Sequence, residues 1–123
     1  MTTTGPSAGA TLRCFADAID ARDWDRLLAL LGPDFSATLV HTGESFDREG
    51  FVAFNADYPG QWHFHADEVV DAGDRAVLRA HTTDGAETFH VASFASTADG
   101  LITDLVEVWT EAVAAHPARS PFT

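Results

Sequence analysis

From Ala8 to Ala21 the apolar residues Leu12, Phe15, Ala16 and Ile19 recur at helical spacing, which predicts a first helix with one buried stripe. Asp23 then stands as an N-cap, and Asp25 suits the positive end of a second helix. Trp24, Leu27, Leu28 and Leu31 supply its buried side until Gly32-Pro33 stops it. From Phe35 to His41 the period becomes two, with Phe35, Ala37 and Leu39 alternating against Ser36, Thr38 and Val40, so a strand is expected. Gly43 to Phe46 reads as a loop. Asp47 caps a short third helix with Phe51, Phe54 and Tyr58 near one face, ended by Pro59-Gly60.

Beyond Gly60 the pattern is a series of long strands, Gln61 to Asp71, Arg75 to Thr83, Ala86 to Thr97 and Leu101 to about Glu111. The breaks at Ala72-Gly73-Asp74, Asp84-Gly85 and Asp99-Gly100 are short enough for hairpins, which predicts an antiparallel meander. The chain is therefore expected to be α+β, with three N-terminal helices packed on one face of a curved, mainly antiparallel sheet. Such packing leaves a cone with one open end, where a ligand fits.

At 123 residues the chain is long enough for one domain, placed at residues 8–112, with tails at 1–7 and 113–123. Hydrophobic residues at 46% and charged residues at 21% exclude a disordered chain. Nineteen Asp and Glu against seven Lys and Arg give a formal charge of −12, scattered along the chain. That surface repels phosphate backbones and anionic lipid headgroups, so neither nucleic acid nor membrane is expected as a partner. The lone Cys14 cannot form an intramolecular disulfide and reads as a small core or near-core residue. No basic segment followed by an apolar run opens the chain and no stretch approaches a membrane span, so a cytoplasmic protein is expected.

Within GLITDLVEVWTE, Gly100 to Glu111, a strand places Glu107 and Trp109 on one face, two residues apart. A carboxylate beside an indole on a mostly apolar strand is either a surface feature or the floor of a pocket. The ending SFASTADGLITDLVEVW is also the most specific part of a resemblance that covers roughly residues 8–112. With the helix pair AIDARDWDRLLALL, the short helix ending ADYPG and the strand WHFHADEVVDAGDRAVL, the chain resembles the NTF2-like superfamily in its SnoaL-like branch, a family of small α+β cones.

The resemblance implies the cone fold but not one activity, because the superfamily hosts isomerases, epoxide hydrolases, dehydratases, polyketide cyclases and members that only bind. Its ketosteroid isomerases use a carboxylate base, a tyrosine and a protonated aspartate. The matching positions here are Leu39, Phe15 and Ala92, so all three groups are missing and that chemistry is not expected. The Asp-Arg-Asp set of limonene-epoxide-hydrolase-like members has no counterpart, although Arg79 lies on a central strand. What the resemblance does imply is orientation: Leu105, Glu107 and Trp109 face the cone interior, as do His90, Ala92 and Phe94.

Glu107 is the leading candidate for function. Inside an apolar cone its pKa rises by desolvation, or falls if Arg79 or a protonated histidine lies near; the alternative is a structural pair with Arg79 or a place at the rim. His90 and His81, on adjacent strands, would approach Glu107 and shuttle a proton, or else bond to their neighbours. Glu107, His90, Arg79 and His81 are the candidate catalytic set. Trp109, Tyr58, Trp62, Phe15, Leu39, Phe94 and Leu105 are the candidate ligand-binding set, with core packing as the alternative for the aromatics. His63 and His65 form an H-x-H pair, but Glu68 follows too soon for the cupin pattern and there is no third ligand, so no metal and no cofactor are expected.

The other face of the last strand carries Ile102, Asp104, Val106 and Val108, and its apolar residues call for a cover. A homodimer through the convex sheet face is expected. The expected function is binding of a small apolar metabolite in the cone, either with cofactor-free acid–base chemistry of isomerase, cyclase or dehydratase type, or as a non-catalytic ligand-binding or dimerisation module.

Overall fold

The computed structural model describes residues 5–118. Helix α1 spans Ala8–Ala21 and is capped by Ser7, whose Oγ accepts from the Ala10 N–H at 3.2 Å and whose hydroxyl donates to Asp71 Oδ2 at 2.6 Å. The expected tails at 1–7 and 113–123 fall partly outside the described residues. Ser7 itself is anchored to the sheet. Helix α2, Trp24–Ala29, is capped by Asp23, and α3, Arg48–Ala56, by Asp47, each carboxylate accepting from a backbone N–H of the first turn.

Strand β1 runs Leu31–Leu39, earlier than the alternation alone indicates. The Leu30 carbonyl accepts from the Ile102 N–H at 2.9 Å, which draws Leu31 into pairing with the last strand. Gly32-Pro33 falls inside the strand at a break in register between Leu31 and Ser36, where a proline without an N–H is tolerated. A two-residue β2, Ser45–Phe46, forms a hairpin with β1, so α3 follows two strands and the three helices do not form one N-terminal block.

The remaining strands are β3 His63–Asp71, β4 Arg75–Thr83, β5 Thr88–Ala98 and β6 Leu101–Glu111. They make one six-stranded sheet in the order β2-β1-β6-β5-β4-β3, parallel only between β1 and β6. The inner face carries Leu78 and Ala80 of β4, Val91 and Ala95 of β5, and Ile102 and Leu105 of β6, all buried against the helices. Phe51 of α3 meets Phe15 and Phe35 with ring centroids 6.1 and 5.4 Å apart, closing the core between helices and sheet. Helix α1 lies so close to β3 that a Cβ at Gly9 would stand 2.6 Å from the Asp71 Cβ. The lone Cys14 is a half-buried free thiol. Among the described residues no helix is long and apolar enough to cross a membrane.

The phase expected for β5 is corrected. Val91 pairs with Trp109, Ser93 with Glu107 and Ala95 with Leu105, so Val91, Ser93 and Ala95 face inward, while His90, Ala92 and Phe94 face outward. Counting back from the Asp99-Gly100 turn through Ala98↔Leu101 and Thr97↔Ile102 would set Ala92 opposite Glu107. The register slips between Ser96 and Thr97, where Ser96 pairs with Asp104, and this bulge moves Ser93 into that place and turns Ile102, expected on the outer face with Asp104, Val106 and Val108, into the core. One residue of slip exchanges the faces of a strand. Through the pairs Arg79↔Ala92 and His81↔His90, Arg79 and His81 also stand on the outer face.

Candidate functional site

Glu107 lies near the middle of β6, and its carbonyl accepts from the Val40 N–H at 2.9 Å, which ties it to the end of β1. Its side chain belongs to the inward phase and is 4% exposed. The Ser93 hydroxyl donates to Oε2 at 2.8 Å and the Trp109 indole N–H donates to Oε1 at 3.1 Å. Burial raises the pKa of the carboxyl above its ordinary 4.5, and the bonds from Ser93 and Trp109 pull it back only in part. No cation pairs with Glu107 among the described residues. The alternative pair with Arg79 is not made, because Arg79 Nε lies 3.3 Å from Glu68 Oε1 and its Nη1 lies 3.8 Å from Asp67 Oδ2 on the opposite face.

Glu107 opens onto a cavity of about 190 Å³ lined by residues from the ends of all three helices and of β1, β3, β4, β5 and β6, among them Ile19, Phe54, Thr82 and Phe89. Of the expected ligand-binding residues, Leu39, Tyr58, Trp62 and Trp109 line it. Of the other expected ligand-binding residues, Phe15 and Leu105 are buried in the core and Phe94 is on the outer face, so none of these lines the cavity. The rings of Phe54, Tyr58, Trp62 and Phe89 form an arc along the wall, with successive centroids 5.9, 6.4 and 5.6 Å apart. Trp62 is fixed by its Nε1–H, which donates to the Pro59 carbonyl at 2.8 Å. Gly60 makes that turn possible: its φ is +111°, and a Cβ there would stand 2.5 Å from Trp62 Nε1.

Several lining residues escaped the sequence reading. His41, Asn55 and Thr82 sit at element ends or on a strand with small residues on both faces, and Ser93, which is fully buried and bonds Glu107 without lining the cavity, is hidden by the bulge. Arg22 also lines the cavity; it ends α1 in the left-handed conformation at φ 55°, and its guanidinium carbon lies 5.6 Å from the centroid of the Trp24 ring, another lining residue.

The histidines assemble elsewhere. His81 Nδ1 lies 2.8 Å from Asp67 Oδ2, its ring stacks on His65 at 5.0 Å and lies tilted 6.1 Å from His90, and His63 Nδ1 lies 3.8 Å from Asp20 Oδ1. This row crosses the outer face of β3, β4 and β5, so His81 and His90 do not meet Glu107. Among the described residues no group of three or more His, Cys, Asp or Glu side chains is placed to hold a metal ion.

The family model of the SnoaL-like domain matches residues 12–105. The chain belongs to this family. Solved structures similar to this SnoaL-like chain include a protein of Kribbella flavida named as a ketosteroid isomerase, at 28% identity and TM-score 0.84, covering 95% of this chain and 89% of that one. An NTF-2-like protein of unknown function from Burkholderia xenovorans is 16% identical at TM-score 0.81, covering 93% and 91% of the two chains. IdmH of Streptomyces antibioticus, named as a polyketide cyclase, is 18% identical at TM-score 0.69, covering 81% and 89%. No curated protein matches the chain.

In this SnoaL-like cavity the polar groups are few and separated by aromatic surface. Among the described residues Glu107 is the one carboxyl lining it, and both of its oxygens are oriented by donors from the protein. A carboxyl so held can accept a proton from a bound molecule, donate one to it, or anchor a positive group.

Proposed function

We propose that the chain binds a small, mainly apolar metabolite in the cavity above Glu107, and that Glu107 exchanges a proton with it without a cofactor, in an isomerisation, cyclisation or dehydration. The observation that carries this reading is a buried carboxyl with no cationic partner among the described residues, held by Ser93 and Trp109 at the wall of an aromatic cavity. Burial brings its pKa nearer to the range in which a carboxyl gives and takes protons at neutral pH. The isomerase and cyclase names among similar structures are in keeping with this chemistry. The ketosteroid isomerase mechanism itself is not proposed, since Leu39 and Phe15 offer no base or phenol, Ala92 faces outward, and its inward neighbour Ser93 carries no carboxyl.

A non-catalytic carrier using the same cavity is the second reading, favoured by that loss. Native mass spectrometry of protein purified under gentle conditions tests both, with a bound small molecule expected in the wild type and lost when Leu39→Trp fills the cavity. An empty wild-type cavity that also takes up no apolar ring compound offered to it would sink both readings. With the ligand in hand, Glu107→Gln separates them: turnover is lost in an enzyme, whereas a carrier changes affinity only modestly.

For assembly, a homodimer through the convex face is proposed. Phe94, Val106 and Val108 are 45, 39 and 43% exposed there and lie beside one another on β5 and β6.

A further inference from the structure

The cavity joins an uncompensated carboxylate to aromatic walls. Among the described residues Glu107 receives only neutral donors, Ser93 and Trp109, and these do not cancel a full charge taken out of water. Trp109, Trp62, Tyr58 and Phe89 line the same space. The face of an aromatic ring is negative and attracts cations, most strongly for tryptophan, and the attraction grows where water is excluded. The chain makes one such contact already at the cavity, where the Arg22 guanidinium lies over Trp24. The formal charge of −12 adds a field that concentrates cations around the molecule.

We propose that the ligand of this cavity carries a positively charged nitrogen, an alkylated ammonium or a protonated amine, seated among the aromatic side chains with its charge against the Glu107 carboxylate. This rests on the cavity reading above and names the kind of molecule the cavity takes. The cation replaces the water that Glu107 gives up on folding and holds the carboxyl ionised, the form that a general base requires. The charged substrate thereby prepares the group that acts on it. Arg22, exposed to solvent, has its charge screened and does not oppose a cation at Glu107.

Choline and 3,3-dimethylbutan-1-ol test the proposal, because they share a shape and differ in the charge of the central atom. Titrated into isotope-labelled wild-type protein at pH 8, both are expected to shift the Trp62 and Trp109 indole N–H signals, with choline binding about tenfold or more the tighter. Glu107→Gln is expected to bring choline to within about threefold of the alcohol by removing the anionic partner. The wild type alone gives a second readout: choline affinity falls as pH drops through the raised Glu107 pKa, while that of the alcohol stays level. The other titratable groups lining the cavity are Arg22, His41 and Tyr58, and the fall is expected to persist in His41→Gln. Choline binding no tighter than the alcohol overturns the charge proposal and leaves the cavity reading standing. Failure of both probes to bind overturns both.

Discussion

Ser93 and Glu107 stand opposite one another in the β5–β6 ladder, and the Ser93 hydroxyl donates to Glu107 Oε2 at 2.8 Å. Both side chains are buried, so the bond is made where water cannot replace it. Ser93→Ala is expected to destabilise the fold by about 1–3 kcal/mol at pH 8, the cost of leaving a buried acceptor short of a donor. The same change removes a bond to the ionised form and is expected to push the Glu107 pKa further up. Urea denaturation measures the first effect and a carboxyl titration the second; an unchanged pKa would mean that the bond does not steady the charge.

The raised pKa of Glu107 sets a direction for stability against pH. Above 4.5 the unfolded chain releases a proton that the folded chain still holds, so unfolding is favoured as pH rises, up to the raised folded value. Glu107→Gln lacks this component. The difference in unfolding free energy between variant and wild type is expected to move in the variant's favour as pH climbs from 4.5 and to level off above the folded pKa. Asp71 and Asp84, held below 3.8 by hydrogen bonds, act in a lower pH window and leave this comparison clear. Denaturation curves at stepped pH carry the test, and a difference that does not change with pH would contradict it.

The outer face offers a separate prediction. Phe94 and Val106 are cross-strand partners, exposed on the convex side. Phe94→Asp places a charge in the middle of the proposed dimer interface and is expected to weaken association about tenfold or more while the monomer stays folded. Light scattering across a concentration series reads the mass. A wild-type monomer at every concentration would remove this interface from consideration.

The elements were legible in the sequence wherever one local rule decided them. The caps Asp23 and Asp47, the Gly turns before β4, β5 and β6 and the alternation of β6 from Leu105 onward led to the right places, and Glu107 beside Trp109 was visible as a pair two residues apart. What stayed hidden depended on register. Thr97↔Ile102 and Ser96↔Asp104 are consistent with strands only if one residue of β6 is skipped, and nothing local marks that bulge. With Ala92 and Phe94 as apolar as Val91 and Ala95, hydrophobicity did not choose a face for β5. The resemblance alone places His90, Ala92 and Phe94 inward, one residue out of phase with the observed Val91, Ser93 and Ala95. The inner face took the smaller Ser93 and Ala95, and Phe94 was left on the side where a partner subunit is proposed.

The most direct test is the titration of the Glu107 carboxyl carbon by NMR in the ligand-free protein, assigned through Glu107→Gln. A midpoint above 4.5 that falls when an ammonium ligand binds is the expected result. A midpoint at or below 4.5 in the free protein would contradict the account of a buried, uncompensated carboxyl at the cavity floor.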